Sequence, residues 1–234
     1  MKNTITSFLA IGLIFGAANA NAIEFDFQRL TDITGTSPYN GSFSGTLANG
    51  NLFSGSPGEA AYQSFTWTID GLSVSASATH STGKAAYAYL DQGNAGLGVC
   101  SSGLKTDRKG PNQCDPGNDD NVTINEILNL TFSQKVLINI ADATFRDGGH
   151  GLYNYPAPSL QYSVDGGGWL NFGTNMNVES KLQGTSFEFR TESDSNQFYI
   201  DTFVASVPEP TTTTMLGLGL LLLAGNVRRK LKSN

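Results

Sequence analysis

Between residues 115 and 126 the chain reads Asp-Pro-Gly-Asn-Asp-Asp-Asn-Val-Thr-Ile-Asn-Glu, its densest run of oxygen-bearing side chains. Hard cations such as Ca²⁺ take six to eight oxygen ligands, and Asp, Asn and Glu supply them. Asp115, Asp119, Asp120, Asn121 and Glu126 are therefore the candidate metal ligands. Read as an EF-hand loop, positions one, five, seven and twelve fall on Asp115, Asp119, Asn121 and Glu126. The match fails at Gly117 in position three and at Asp120 in position six, where the sharp turn needs glycine. The expectation is a calcium site built on a β domain, set against the plain alternative that Asp and Asn cap turns in an ordinary loop.

Other chemistry is sparse. His80 and His150 are the only histidines, and no Gly-x-Ser-x-Gly elbow is present to activate a serine. The chain is therefore expected not to be an enzyme, with a glycan-active hydrolase as the lesser alternative, since two of the many acids could lie at glycosidase spacing. Ser163-Val164-Asp165-Gly166-Gly167-Gly168-Trp169 reads as a hairpin turn, the glycines supplying positive φ. Tyr153, Tyr155 and Trp169 are candidate sugar contacts, because aromatic faces stack on sugar rings. Cys100 and Cys114 close a loop of about 15 residues, a span for which chain entropy predicts about 3 kcal/mol of stabilisation from a disulfide. That structural disulfide is the main reading, because neither Cys-x-x-Cys spacing nor a zinc ligand set accompanies the pair.

The elements that must carry these residues read as strands. Phe65, Trp67 and Ile69 alternate with threonines, and after Asp70-Gly71 the alternation resumes through Leu72, Val74, Ala76 and Ala78. Asn49-Gly50 and Asp165-Gly166 mark two further hairpins. Strands are also expected over 23–30, 85–90, 127–132, 136–143, 186–190 and 197–205, and the body shows no helical periodicity. The predicted fold is all-β, an antiparallel two-sheet sandwich of jelly-roll type. The stretch 99–126 is predicted to be a long irregular connection, the place to look for a site.

The two ends read as addresses. Lys2, a short apolar run over 5–18 and the small residues Ala18, Ala20 and Ala22 read as a signal peptide cleaved after Ala22, the alternative being an N-terminal anchor. The other end runs Pro208-Glu209-Pro210, four threonines, a Leu/Gly-rich apolar stretch over 215–227, then Arg228, Arg229, Lys230 and Lys232. The prolines hold the chain extended, the apolar stretch suits a transmembrane helix, and the basic cluster keeps its end cytoplasmic. This order of parts resembles the PEP-CTERM sorting signal of Gram-negative bacteria, with Pro208, Glu209, Pro210, Arg228, Arg229 and Lys230 in the motif positions. The resemblance implies a protein exported across the inner membrane, held there transiently, and processed by the transpeptidase-like enzyme exosortase. It also implies a destination at the cell surface or in an exopolysaccharide matrix, with exopolysaccharide as a candidate partner. Within the body, Gly96-Leu97-Gly98-Val99-Cys100, then Asp120-Asn121, then Glu126-Ile127-Leu128-Asn129-Leu130-Thr131-Phe132 is loosely similar to other proteins bearing that signal.

The expected organisation is thus a signal peptide over 1–22, one β domain over 23–206 and the sorting signal over 207–234. The whole chain holds 14 Lys and Arg against 20 Asp and Glu; without Lys2, the four basic tail residues and Glu209, the body keeps nine against nineteen, a net charge of −10. Such a surface repels nucleic acid and anionic membranes. Two functions remain open: a surface or matrix protein without chemistry, or a calcium-dependent carbohydrate-binding module.

Overall fold

A computed structural model describes residues 22–31, 41–55, 57–107, 110–153, 159–172 and 181–208. Fifteen strands follow one another in this part of the chain. They are β1 (Ala22–Asp26), β2 (Ser42–Leu47), β3 (Leu52–Ser54), β4 (Ala60–Ile69), β5 (Leu72–His80), β6 (Tyr87–Asp91), β7 (Gly96–Cys100) and β8 (Gly103–Asp107). Then come β9 (Gly110–Asp115), β10 (Glu126–Asn139), β11 (Thr144–Asp147), β12 (Leu160–Val164), β13 (Leu170–Asn171), β14 (Lys181–Thr191) and β15 (Phe198–Ser206).

The all-β expectation holds, and the plain sandwich does not. Hydrogen-bonded neighbours run β15-β7-β6-β4-β5-β10, and β10 then pairs with β15, so six antiparallel strands close into a barrel. Strands β1 and β11 attach to β15, β14-β12-β13 extend from β10, and the β2–β3 hairpin lies on β4. The physical reason for closure is the length of β10. Its first half, Glu126 to Phe132, pairs with β5, while Leu137 and Ile138 pair with β15. Against β14 its register shifts between Thr131 and Val136. Such an irregularity bends a strand and sharpens its twist, which turns the far half of β10 toward the opposite edge. The sequence suggested two strands here; the polar Ser133-Gln134-Lys135 step lies inside one.

Turn chemistry accounts for the hairpins. Asp70 and Gly71 both adopt positive φ (49° and 82°), as do Asp165 and Gly166 (50° and 71°), the pattern that matches strand twist. Two local expectations need correction. The strand expected over 23–30 stops at Asp26, whose Oδ1 accepts the Arg29 N–H at 2.9 Å and so starts the short helix α1 (Phe27–Thr31). The stretch 99–126 is not wholly irregular, because β8 and β9 pair there as a separate two-stranded sheet.

The barrel is filled by alternate side chains. Phe25, Phe27 and Trp67 meet edge to face, with Phe25 and Trp67 centroids 5.4 Å apart, and Phe132 closes on Phe25. Such rings add about 1 kcal/mol per pair to the burial of their area. A second aromatic group, Phe145, Phe172, Phe189 and Phe203, packs between β15 and β14. In β7 all five residues are buried, because chain lies against both of its faces.

Candidate functional site

Strand β7 carries the Gly-Leu-Gly-Val-Cys run, and its glycines have a steric purpose. A Cβ on Gly98 would sit 2.0 Å from the Asp120 carbonyl oxygen, and one on Gly96 would sit 2.4 Å from that of Ile200. Without them the 119–122 segment and β15 could not lie directly on β7. The disulfide Cys100–Cys114, with Cα atoms 5.7 Å apart, then ties the end of β7 to β9. The run of glycines, Asp-Asn and Glu is therefore a single packed unit.

Within that unit the five candidate metal ligands take separate partners. Asp115 is exposed, its Oδ1 3.3 Å from Lys105 Nζ. Asp119 Oδ2 accepts the N–H groups of Ser101 and Ser102 (3.2 and 2.7 Å). Asp120 is buried and accepts a short hydrogen bond from the Tyr199 hydroxyl. Asn121 donates from Nδ2 to Gln197 Oε1 at 3.1 Å. Glu126 is fully buried, and its Oε2 accepts both the N–H and the hydroxyl of Thr123 (2.7 and 2.9 Å), while its own N–H donates to the Thr123 carbonyl. Burial pushes the Glu126 carboxyl up to about 7 against the pull of hydrogen bonds from Ser101 and Thr123, and the Asp119 charge adds to the rise. Burial likewise raises Asp120, partly offset by the Tyr199 bond. Among the described residues, the only three ligand-type groups within 4.8 Å of one another are Cys100, Cys114 and Asp119, and those two sulfurs are bonded to each other.

What the loop does build is the wall of a cleft. A depression of about 540 Å³ is lined by Asp91, Gln92 and Gly93 after β6, by Gly117, Asn118 and Asp120, by Gly148 and His150, and by Tyr199 of β15. His150, at φ 66°, sits in a turn held by Asp147, whose Oδ1 accepts the N–H groups of Gly149 and Gly151 (2.9 and 2.7 Å). Its Nε2 lies 3.2 Å from Asp91 Oδ2 and its Nδ1 3.0 Å from the Gly93 carbonyl oxygen, so the ring latches the two turns together. Its edge meets the Tyr199 ring at 5.4 Å. Beside it Arg146 bonds Asp201 at 2.7 Å and donates to the His150 carbonyl. Sequence reasoning passed over Asp91 and Tyr199; the one sign of Asp91 was an acid closing an apolar strand. A second groove, about 470 Å³ over β2, β3 and β4, presents hydroxyls and Leu52 but no ionisable group.

Two of the candidate sugar contacts have partners within the fold. Trp169 is stacked under the Arg190 guanidinium, 4.1 Å from the ring centroid. Tyr153 spends its hydroxyl on the Gln197 carbonyl at 3.0 Å. Tyr155 lies outside the described residues, as do the signal peptide up to residue 21, the apolar run 215–227, Glu209, Pro210, Arg228, Arg229 and Lys230. Among the described residues no helix is long and apolar enough to cross a membrane.

Strand β15 leads directly into the last segment. Ser206 pairs with Ala22 on one side and Leu137 on the other, Val207 still packs on the core, and exposed Pro208 follows. No curated protein and no solved structure matches the chain. Residues 206–230 match the family model of the PEP-CTERM protein-sorting motif, so the chain carries that motif from the end of β15 onward, and the motif implies an exported protein processed by exosortase.

Proposed function

We propose that this is a non-enzymatic protein of the cell surface or extracellular matrix, exported, folded into its barrel and released from its membrane segment by exosortase at the Pro208-Glu209-Pro210 region. The sorting motif over 206–230 carries the reading. The packing of β15 supports it. The chain is clamped in the sheet up to Ser206, so the motif emerges at one end of a stable body that processing leaves whole. The non-enzymatic part rests on the sequence and on His150: no Gly-x-Ser-x-Gly elbow is present to activate a serine, and His150 has Asp91 and Gly93 at its two ring nitrogens.

The test is mass spectrometry of the mature protein from an exosortase-positive host and from its exosortase deletion. The expected outcome is a C-terminus near Pro208–Pro210 in the first and an intact tail in the second. A mature chain that keeps Arg228 to Asn234 in the positive host would overturn the sorting reading. Turnover of any glycan by the purified chain would overturn the non-enzymatic one.

A further inference from the structure

We propose that the cleft formed by Asp91, Asp120, His150 and Tyr199 is a binding site for a primary ammonium group. The site is built rather than accidental: three separate connections converge on it, Gly98 is required to seat one of them, and the His150 ring latches the other two. Its volume falls within the range of small-molecule sites, about 300–1,000 Å³. The two deepest polar groups on its walls are both carboxylates, Asp91 at 4% exposure and Asp120 at 9%.

Charge is what selects the ligand. No Lys or Arg lines the cleft, and the nearest guanidinium, Arg146, is committed to Asp201. His150 faces Asp91 and the Gly93 carbonyl, which leaves Asp120 without a cationic neighbour in hydrogen-bond contact among the described residues. The Tyr199 hydroxyl donates to Oδ1 of Asp120, and both residues line the cleft. Burial still pushes the Asp120 carboxyl up, against the Tyr199 hydroxyl, its own backbone N–H and the nearby His150 ring, so an anion there is incompletely compensated. A primary ammonium brings one positive charge and three N–H donors in a compact head. Asp120 Oδ2, the Asn118 or Gln92 side-chain carbonyls and Tyr199 Oη are acceptors of the right kind. A metal ion is the weaker occupant, because Asp91, Asp120 and His150 do not form a cluster of three ligand atoms within 4.8 Å. A neutral hydroxyl could satisfy the acceptors and would leave the charge uncompensated.

Lipid headgroups, amino sugars and polyamines all present this chemistry, and the test separates them. The full-length chain would be titrated calorimetrically near pH 7 with ethanolamine, glucosamine and putrescine, and with glucose and N-acetylglucosamine as neutral counterparts. The expected result is saturable binding of one or more amines and none of the neutral sugars, the ranking of the amines naming the source. Asp120→Asn should weaken the best amine about tenfold or more, as loss of a charged hydrogen-bond partner does. Asn118→Asp, an exposed substitution that adds charge at the rim without touching the core, should tighten it. Equal affinity for glucosamine and N-acetylglucosamine would overturn the proposal in favour of a neutral saccharide site. Absence of amine binding, or binding indifferent to both substitutions, would overturn it outright.

Discussion

Two acid-bearing connections of this barrel use the same residue types in opposite ways. At the β12–β13 turn, Asp165 stands in water and its Oδ1 accepts the N–H groups of Thr185 and Ser186, both at 2.8 Å. Those bonds hold its carboxyl below the ordinary range. In the connection from β9 to β10 and at its end, Asp120 and Glu126 are buried, and burial pushes both up although Tyr199, Ser101 and Thr123 donate to them. An acid in a turn is thus a cap in one place and a cost in the other. Burial, not the number of donors, is what separates the two connections.

The contrast is most severely tested at its glycines. Gly98 has the Asp120 carbonyl where a Cβ would go, and both atoms belong to backbones that cannot swing aside. Gly98→Ala should cost about 3 kcal/mol or more, at or beyond the upper end of overpacking penalties, read as a fall in the denaturant midpoint. Gly168, in the exposed turn, has nothing within 4 Å, and Gly168→Ala should change stability by less than about 0.5 kcal/mol. Similar costs at the two sites would mean that the 119–122 segment is not seated on β7.

Next in size is the pH response of Glu126. Its carboxyl titrates at 4.5 in an unstructured chain and near 7 in the fold, so the folded state holds the proton more tightly. Its contribution is complete below the lower value and is lost as pH rises through about 7. The loss is at most about 3 to 4 kcal/mol, from about 1.4 kcal/mol per unit. Urea unfolding at pH 5 and pH 8 should therefore show the wild type weakening with pH and Glu126→Gln weakening less. Asp120 and Asp201, raised in the same direction by burial, keep some slope in the variant. Parallel slopes in the two proteins would show that Glu126 is ionised in the fold at no cost.

How much of this was legible in sequence follows from the range over which each feature is decided. The Asp70-Gly71 and Asp165-Gly166 hairpins are local, fixed by two residues that tolerate positive φ, and they read correctly. Barrel closure is not local: it depends on β10 serving β5 with one half and β15 with the other, across a polar Ser-Gln-Lys step that carries no distinctive residue. The acidic loop was visible as composition, and its meaning was not. The Tyr199 partner of Asp120 lies 79 residues away, and Gln197, which holds Asn121, lies 76 away. His150 and Asp91 meet only because two turns fold over β15.

A smaller effect belongs to the exposed turn. Asp165→Asn keeps a residue that tolerates φ near 50° and removes the charge from two N–H acceptor bonds. It should cost about 1 kcal/mol at neutral pH. Because the folded carboxyl is depressed, that difference is fully present above the ordinary Asp range and should be lost as pH falls below that range, through the lowered folded value. An unchanged melting temperature at pH 7 would mean that the turn glycines, not the carboxylate, hold the hairpin.

The smallest expected effect is that of calcium, and it separates the two connections most directly. Four acids within twelve residues look like a site when only their spacing is seen, since unshielded carboxylates repel and a divalent ion would relieve them. In the fold that repulsion is already dispersed: Asp115 faces Lys105, Asp119 faces two N–H groups, Asp120 points to Tyr199 and Glu126 to Thr123. Gathering them around one ion would mean breaking each of these contacts and prying the 119–122 segment off β7. A site worth occupying would stabilise by about 2.7 kcal/mol at a hundredfold excess over its dissociation constant, a shift of several degrees in melting temperature. Millimolar calcium should instead move the melting temperature of the wild-type chain by less than about 1 °C, with chelator restoring nothing. A rise of several degrees that Asp119→Ala and Glu126→Ala abolish would show that the loop leaves its partners for the ion, and that its buried acids are held in reserve for binding.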